Sequence, residues 1–364
     1  MPVESASSMS SAPDMKSIPA TTSIMISEDD ARARRTPFRR ALSVFGWGDG
    51  DVARVTIFVL LVVTLGLISP SFFSQASWLA TSQSATVIVL LAIGQAFVII
   101  TGGIDLSVGA VLGASSMVSA AAMRQLLIAG VDNWTVVGVG ILVSISVGLL
   151  AGLINGLVIT RMKITPFIAT LGMLGVASGT TNLINNGTEI VNVPSELGII
   201  GNTTLFGGWL AVPVGVTIVV AIIAAIALSR TRFGMRTFAI GSNSAAARRA
   251  GIGVDRHLIG VYMIAGMTAG IAGFLLMSRF VSASPLAGTS LELAAIAAAV
   301  IGGASLVGGR GSILGTVIGA SITATLQIGL ILAGVASFWQ TVTIGVIIVL
   351  AVYGDQLRIR LSNK

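Results

Sequence analysis

Residues 79–109 read LATSQSATVIVLLAIGQAFVIITGGIDLSVG, and no charged side chain interrupts them before Asp105. A helix at the surface of a soluble protein would return to a polar residue every three or four positions. This run does not, and its length is close to the roughly 20 residues that a helix needs to cross a bilayer. The solvent around this part of the chain is therefore lipid. The run then breaks at Gly102-Gly103, which weaken a helix, and resumes beyond Asp105.

The rest of the sequence follows the same pattern. Of the 364 residues, 54% are hydrophobic and 10% charged, against about a quarter charged in soluble domains. Apolar runs at 53–69, 79–101, 105–124, 135–158, 165–185, 209–229, 258–278, 291–309, 312–333 and 338–353 predict an all-α, polytopic membrane protein of about ten spanning helices. Some of these are expected to break at glycine-rich joints, at 101–107 and at Gly308-Gly309-Arg310-Gly311. Small residues four apart recur at Gly109/Gly113, Gly148/Gly152/Gly156 and Gly311/Gly315/Gly319. Such stripes let helices approach closely where lipid supplies no hydrophobic drive for association.

Residues 1–50 are rich in Ser, Pro and Arg and read as a disordered basic cytosolic tail near anionic lipid. Residues 51–357 form the membrane domain, and 358–364 a short cytosolic tail. With both termini inside, all of the 21 Lys and Arg except Arg124 and Arg279 fall on the cytosolic side, as the positive-inside rule requires. The +7 net charge is thereby explained without nucleic acid. The chain has no cysteine, which excludes disulfides and cysteine metal sites. No P-loop, nucleophile elbow or metal-ligand cluster occurs, and the single histidine, His257, lies at a membrane boundary. No enzymatic activity, cofactor or metal is expected.

Two regions could carry function. The first is the break at Thr101–Gly109. A charge at the centre of a spanning helix costs about 2.5–3.5 kcal/mol, so Asp105 is a candidate. It can cap the following helix or face a solute, with Ser107 beside it. Glu292, opening the run at 291, is open to the same two readings. The second is the loop 230–257. There Ser242 or Asn243 can cap a short helix over Ser244–Ala250, and Gly251 can end it. A built element between two spans suits docking to a cytosolic partner, with Ala245, Ala246 and Ala247 small enough to seat closely and Arg248 able to pair with an acid.

The strings TGGIDLSVG (101–109), GLING (152–156), TPFIATLG (165–172) and the segment Phe233–Gly251 occur in order, followed by Glu292–Gly303, Gly308–Gly311 and SFWQ (337–340). In these the chain resembles the ribose-type sugar permeases of ABC importers, related more distantly to branched-chain amino-acid permeases. The resemblance implies a multi-pass inner-membrane subunit that forms the pathway for a monosaccharide or polyol. It also implies a cytosolic ATP-binding subunit, a periplasmic sugar-binding protein and a second permease subunit. The residues expected at the pathway are Gly102, Gly103, Asp105, Ser107, Asn155 and Glu292. Those expected at the ATPase are Gly241, Ser242, Asn243, Ala246, Ala247, Arg248 and Gly251. Two acidic positions of the family pattern are lost at Ser244-Ala245, and another at Ala294. An ion-coupled secondary carrier is the alternative, but it needs intramembrane titratable groups, of which Asp105 is nearly the sole example.

Single cysteines at Ser195 and Ser244 should label from opposite sides of intact cells. Labelling from one side would show that the span count is wrong by an odd number.

Overall fold

The computed structural model describes residues 49–336 together with 339, 342, 343, 345, 346, 349 and 353. Most of the basic tail at 1–50, most of the run at 338–353 and the C-terminal tail at 358–364 lie outside the described residues. The described part is helical. Helix α1 (Asp49–Ile68) leads through a 3-10 turn at Pro70–Phe73 into α2 (Gln75–Ile100). Then come α3 (Val108–Ile128), α4 (Asn133–Arg161), α5 (Pro166–Ile184) and the short α6 (Leu197–Asn202). A two-residue hairpin of β1 (Thr204–Leu205) and β2 (Leu210–Ala211) precedes α7 (Val212–Arg230). The chain ends in α8 (Arg232–Ser242), α9 (Ser244–Arg249), α10 (Val254–Phe280), α11 (Leu291–Ile301) and α12 (Ile313–Leu332).

Local chemistry sets many of the helix starts. Ser74, Asp132, Thr231, Asn243 and Ser312 each accept a backbone N–H of the first turn through their side chains. Prolines occupy the first turn of α5 and α7, where a missing N–H costs nothing.

Among the described residues seven helices (α2, α3, α4, α5, α7, α10 and α12) are long and apolar enough to cross a membrane. The run read as a span at 291–309 is a correction. Its helix α11 stops at Ile301 after 11 residues, about 16 Å against a hydrocarbon core of about 30 Å. Gly302, Gly303, Gly308, Gly309 and Gly311 follow, and all but Gly302 have positive φ, which ends the helix. Before α11 the chain enters through Val281 and Ser290, both left-handed at φ 51° and 65°. Neither residue adopts that conformation readily, least of all β-branched Val281. Residues 281–290 therefore dip into the bundle and deliver a half-helix.

Helix α2 is the central post, since every residue from Thr86 to Ile100 is buried. Around it the small-residue stripes find partners. On α4, Gly148, Gly152 and Gly156 face Gly266, Tyr262 and Ile259 of α10. A methyl on Gly148 would strike the Gly266 carbonyl, and one on Gly266 would strike that of Gly148. Ser144 donates to the Gly270 carbonyl at 2.8 Å in the same seam. Gly315 and Gly319 of α12 face Gly302 and Ala298 of α11, while Gly109 and Gly113 of α3 face Gly288 and Ala287. Backbone contact of this kind maximises dispersion and admits carbonyl contacts between helices.

The connections sort to two ends. At one end the 101–107 and 302–311 segments meet α8, and Lys163 pairs with Asp255. At the other, Gln75 donates to Gly207 O, Asn133 to Glu196, and Ile190 bridges Ala283. Arg124 and Arg279 both belong to this second end, on Asn185 and Ser84. Trp78, Trp134 and Trp209 stand half-exposed there, with Trp78 donating to Trp209 O, as an interfacial aromatic belt does.

Gly148→Leu should lower the thermal midpoint of the purified chain sharply, because overpacking costs about 1–3 kcal/mol or more. Gly138→Leu on the same helix has open space at its Cβ and should leave the midpoint unchanged. Equal effects in a melting assay would mean that the α4–α10 seam does not hold the bundle.

Candidate functional site

The first expected site is a closed polar hub. After Ile100 the chain folds back along α2, with Gly103 N–H donating to Val98 O at 3.0 Å. This returns Asp105 to the level of Gln95, roughly 8 Å from the helix end. The Gln95 amide, oriented to satisfy both its groups, donates to Asp105 O at 3.0 Å and accepts from Asp105 N at 3.2 Å. Asp105 Oδ1 accepts from Ser107 N at 2.8 Å and from Ser107 Oγ at 2.6 Å. The same Ser107 hydroxyl accepts from Asn155 Nδ2 of α4 at 3.0 Å. Thr170 of α5 accepts from Leu106 N–H and donates to Ile104 O, each at 3.2 Å.

Asp105 thus closes an Asx turn ahead of α3, whose N-cap position is Ser107. Asp105, Ser107 and Asn155 are all at least 98% buried, so together they brace the break between α2, α4 and α5. Gly103 makes room for the buried hydroxyl of Tyr262, which has no hydrogen-bond partner among the described residues. Gly102 lies at the exposed rim with φ 83°. Gln95, Thr170 and Tyr262 escaped the sequence reading, since a lone Gln, Thr or Tyr in an apolar run has no spacing signal.

Glu292 is elsewhere. It stands in the first turn of α11 and lines a cavity of about 130 Å³ with Ser178, Thr181, Thr289 and Ser290. Gly109 lies directly against its carboxylate. A second cavity of about 430 Å³, lined by Glu189, Ser116, Ser282 and Ser284, opens at the tryptophan-bearing end. Ala287 lines both cavities. Their linings mix apolar residues, among them Leu174, Leu276, Met277 and Phe280, with seven hydroxyls and two carboxylates, and no Lys or Arg is among the lining residues. The six pathway residues expected from sequence therefore separate: Glu292 lines a cavity, Gly102 lies at the exposed rim, and Gly103, Asp105, Ser107 and Asn155 are buried. The dip at 281–290 shapes both cavities, and its hydroxyls were hidden in what read as an ordinary loop.

The second expected site forms as a helix pair. The Asn243 side chain accepts from Ala246 N at 2.9 Å and starts α9, and Gly251 reverses the chain at φ 80°. The amphipathic α8 before it was not foreseen. Its Phe233 packs on Phe97 and on His257, and Thr237 hydrogen-bonds the His257 ring at 2.9 Å. His257 thereby pins α8 to α10. Two expectations change. Ala247 is buried against Ile240 and Val254, so the surface that α9 offers outward is Ser244, Ala245, Ala246, Arg248 and Arg249. Arg248 pairs within the chain, with Asp255 at 2.8 Å, and that hydrogen bond holds its guanidinium pKa above the ordinary value.

Gly241 and Ser242 join the two regions. Gly309 N–H donates to Ile100 O at 2.8 Å, linking the two helix breaks directly. Gly241 lies against that bond, for a methyl there would strike both Ile100 O and Gly309 N. Gly308 rests on Gly241 O and Gly102, and Gly309 on Ser242.

Comparison with known proteins places these features. Residues 78–352 match the family described as branched-chain amino acid transport system / permease component. The chain is 42% identical to the ribose import permease protein RbsC of Bacillus subtilis (strain 168), over 82% of this chain and 90% of that protein. It is 35% identical to the D-allose transport system permease protein AlsC of Escherichia coli (strain K12), covering 83% and 90%. It is 34% identical to the fructose import permease protein FrcC of Rhizobium meliloti, covering 82% and 83%. No solved structure matches the chain.

Asp105→Leu removes the acceptor of two hydrogen bonds and should destabilise the purified chain by about 1–3 kcal/mol. Asp105→Asn keeps an acceptor oxygen and should cost less. An unchanged melting midpoint for Asp105→Leu would show that the hub does not brace the break.

Proposed function

This chain belongs to the branched-chain amino acid transport system / permease component family and is a multi-pass membrane subunit of a transporter, and we propose that it carries a monosaccharide or related polyol across the bacterial inner membrane. The observation that supports this cargo is the lining of the adjoining cavities. Ser282, Ser284, Thr289, Ser290, Ser178 and Thr181, with Glu189 and Glu292, offer hydrogen bonds of both senses and no cation. A neutral polyhydroxy solute can exchange its water for such groups, whereas an anion would meet two carboxylates and no compensating cation. The relatives' names, ribose, allose and fructose permeases, agree with this reading.

ABC partners, an ATP-binding and a substrate-binding subunit, go with the family. In the proposed arrangement the ATP-binding subunit docks on the exposed face of α9, around Ala245 and Ala246. The periplasmic sugar-binding protein meets the tryptophan-bearing end, and a second permease subunit completes the pathway. Sidedness rests on charge: Arg161, Lys163, Arg230, Arg232, Arg236, Arg248, Arg249, Arg256 and Arg310 gather at the α8–α9 end, which is the cytosolic one.

Coupling then has a defined route. Motion of α9 reaches Gly241–Ser242, which touch both Ile100, where the first break begins, and Gly308-Gly309 of the 302–311 break. The second break carries α11 and hence Glu292 in the cavity. A packed contact between elements that can shift is the physical requirement for transmitting such motion.

The test is ATP-dependent uptake of labelled ribose, allose and fructose in proteoliposomes holding the chain with its ATP-binding subunit and sugar-binding protein. Uptake of none of them, with uptake of a branched-chain amino acid instead, would overturn the cargo. Within that system Gly241→Ala should cut uptake at least ten-fold while the complex still assembles and hydrolyses ATP. Ala246→Trp should instead prevent co-purification of the ATP-binding subunit. Normal uptake by both variants would move the coupling site elsewhere.

A further inference from the structure

We infer that the cleft where α4 ends and α10 begins seats the phosphate of an anionic phospholipid headgroup. The cleft has a volume of about 440 Å³, and Arg161, Lys163, Arg248, Arg256, Asp255 and Thr160 are among its lining residues. It holds four cations to one carboxylate. That carboxylate organises the rest: Asp255 Oδ2 accepts from Lys163 at 3.3 Å and Oδ1 from Arg248 at 2.8 Å. Lys163 turns towards it from a left-handed backbone at φ 57°, an uncommon conformation for lysine. Arg161 and Arg256 make no ion pair among the described residues, so their charge is free for a ligand.

The position of the cleft selects a lipid. Arg161 is the last residue of spanning α4, and Arg256 lies in the first turn of spanning α10, at the depth where headgroups sit. Leu150, Ile154, Leu157 and Arg161 share one face of α4. The three apolar residues are exposed there, while Gly148, Gly152 and Gly156 on another face meet α10. An acyl chain can thus run along this track with its phosphate against the basic rim, and juxtamembrane cations attract anionic lipid in this way. Because Arg248 belongs to α9, a bound headgroup would also tie α9 to the membrane. The inference is independent of the cargo.

The experiment uses the full-length chain in mild detergent, titrated with phosphatidylglycerol, phosphatidylcholine or inorganic phosphate and read by native mass spectrometry. Phosphatidylglycerol should bind several-fold tighter than phosphatidylcholine, and 0.5 M salt should weaken it. The double variant Arg161→Gln/Arg256→Gln should lose about twenty-five-fold, at roughly five-fold per cation. Arg232→Gln, a cation at the same end outside the cleft, should lose nothing. The salt titration needs no variant and so guards against a folding defect. Equal binding of the two lipids, an equal loss in Arg232→Gln, or displacement of the lipid by equimolar phosphate would each overturn the proposal. Displacement by the ATP-binding subunit would do so as well, by assigning the cleft to an acidic protein partner.

Discussion

A helix end buried within the bundle leaves carbonyls and N–H groups without intrahelical partners, and each must find one in the protein. The architecture turns on how two such stops answer one another. Helix α2 ends at Ile100 and the segment after α11 unwinds through Gly309. The carbonyl of the first takes the N–H of the second at 2.8 Å. Around that bond Gly102, Gly241 and Gly308 bring three backbones within contact, which side chains at those positions would forbid. In the first break Asp105 takes the Ser107 N–H, while Gln95 and Thr170 serve the backbone groups of Asp105, Leu106 and Ile104.

This solution has a functional consequence. Because the breaks are bonded to each other and pressed on by the end of α8, they cannot be displaced independently. The half-helix α11 is attached to the second break, and its other end presents Glu292 to a hydroxyl-lined cavity. The α8–α9 helix pair and the cavity are thereby joined by a short run of backbone contacts. Around them the α4–α10 seam is closed by reciprocal glycine contacts, and α2 is buried along its inner half.

The sequence read alone went a long way and failed in instructive places. The short helix after Asn243 was legible because caps are local: a side-chain oxygen, an N–H three residues on, a glycine at positive φ. The amphipathic α8 was not read, since its apolar face has meaning only against Phe97 and His257. Ala247 looked like a docking residue because alanine is small whichever way it points. Burial against Ile240 and Val254 turned it inward. Arg248 looked available to a partner because its acid, Asp255, lies seven residues away across a chain reversal.

What the sequence determined by itself is everything that depends on composition and period. Lipid is the solvent, the fold is built of helices, the glycine stripes are contact faces, and the basic residues of the described part other than Arg124 and Arg279 gather at one end. Each follows from the free energy of single groups in hydrocarbon or in water, which does not depend on where the chain later goes. Tertiary structure alone decided that the run at 291–309 is half a helix, and that Asp105 braces while Glu292 faces a cavity. It also decided that Gly241 meets both breaks. Those facts depend on which backbones come within a few ångströms of each other across more than a hundred residues of chain, and no local free energy records that.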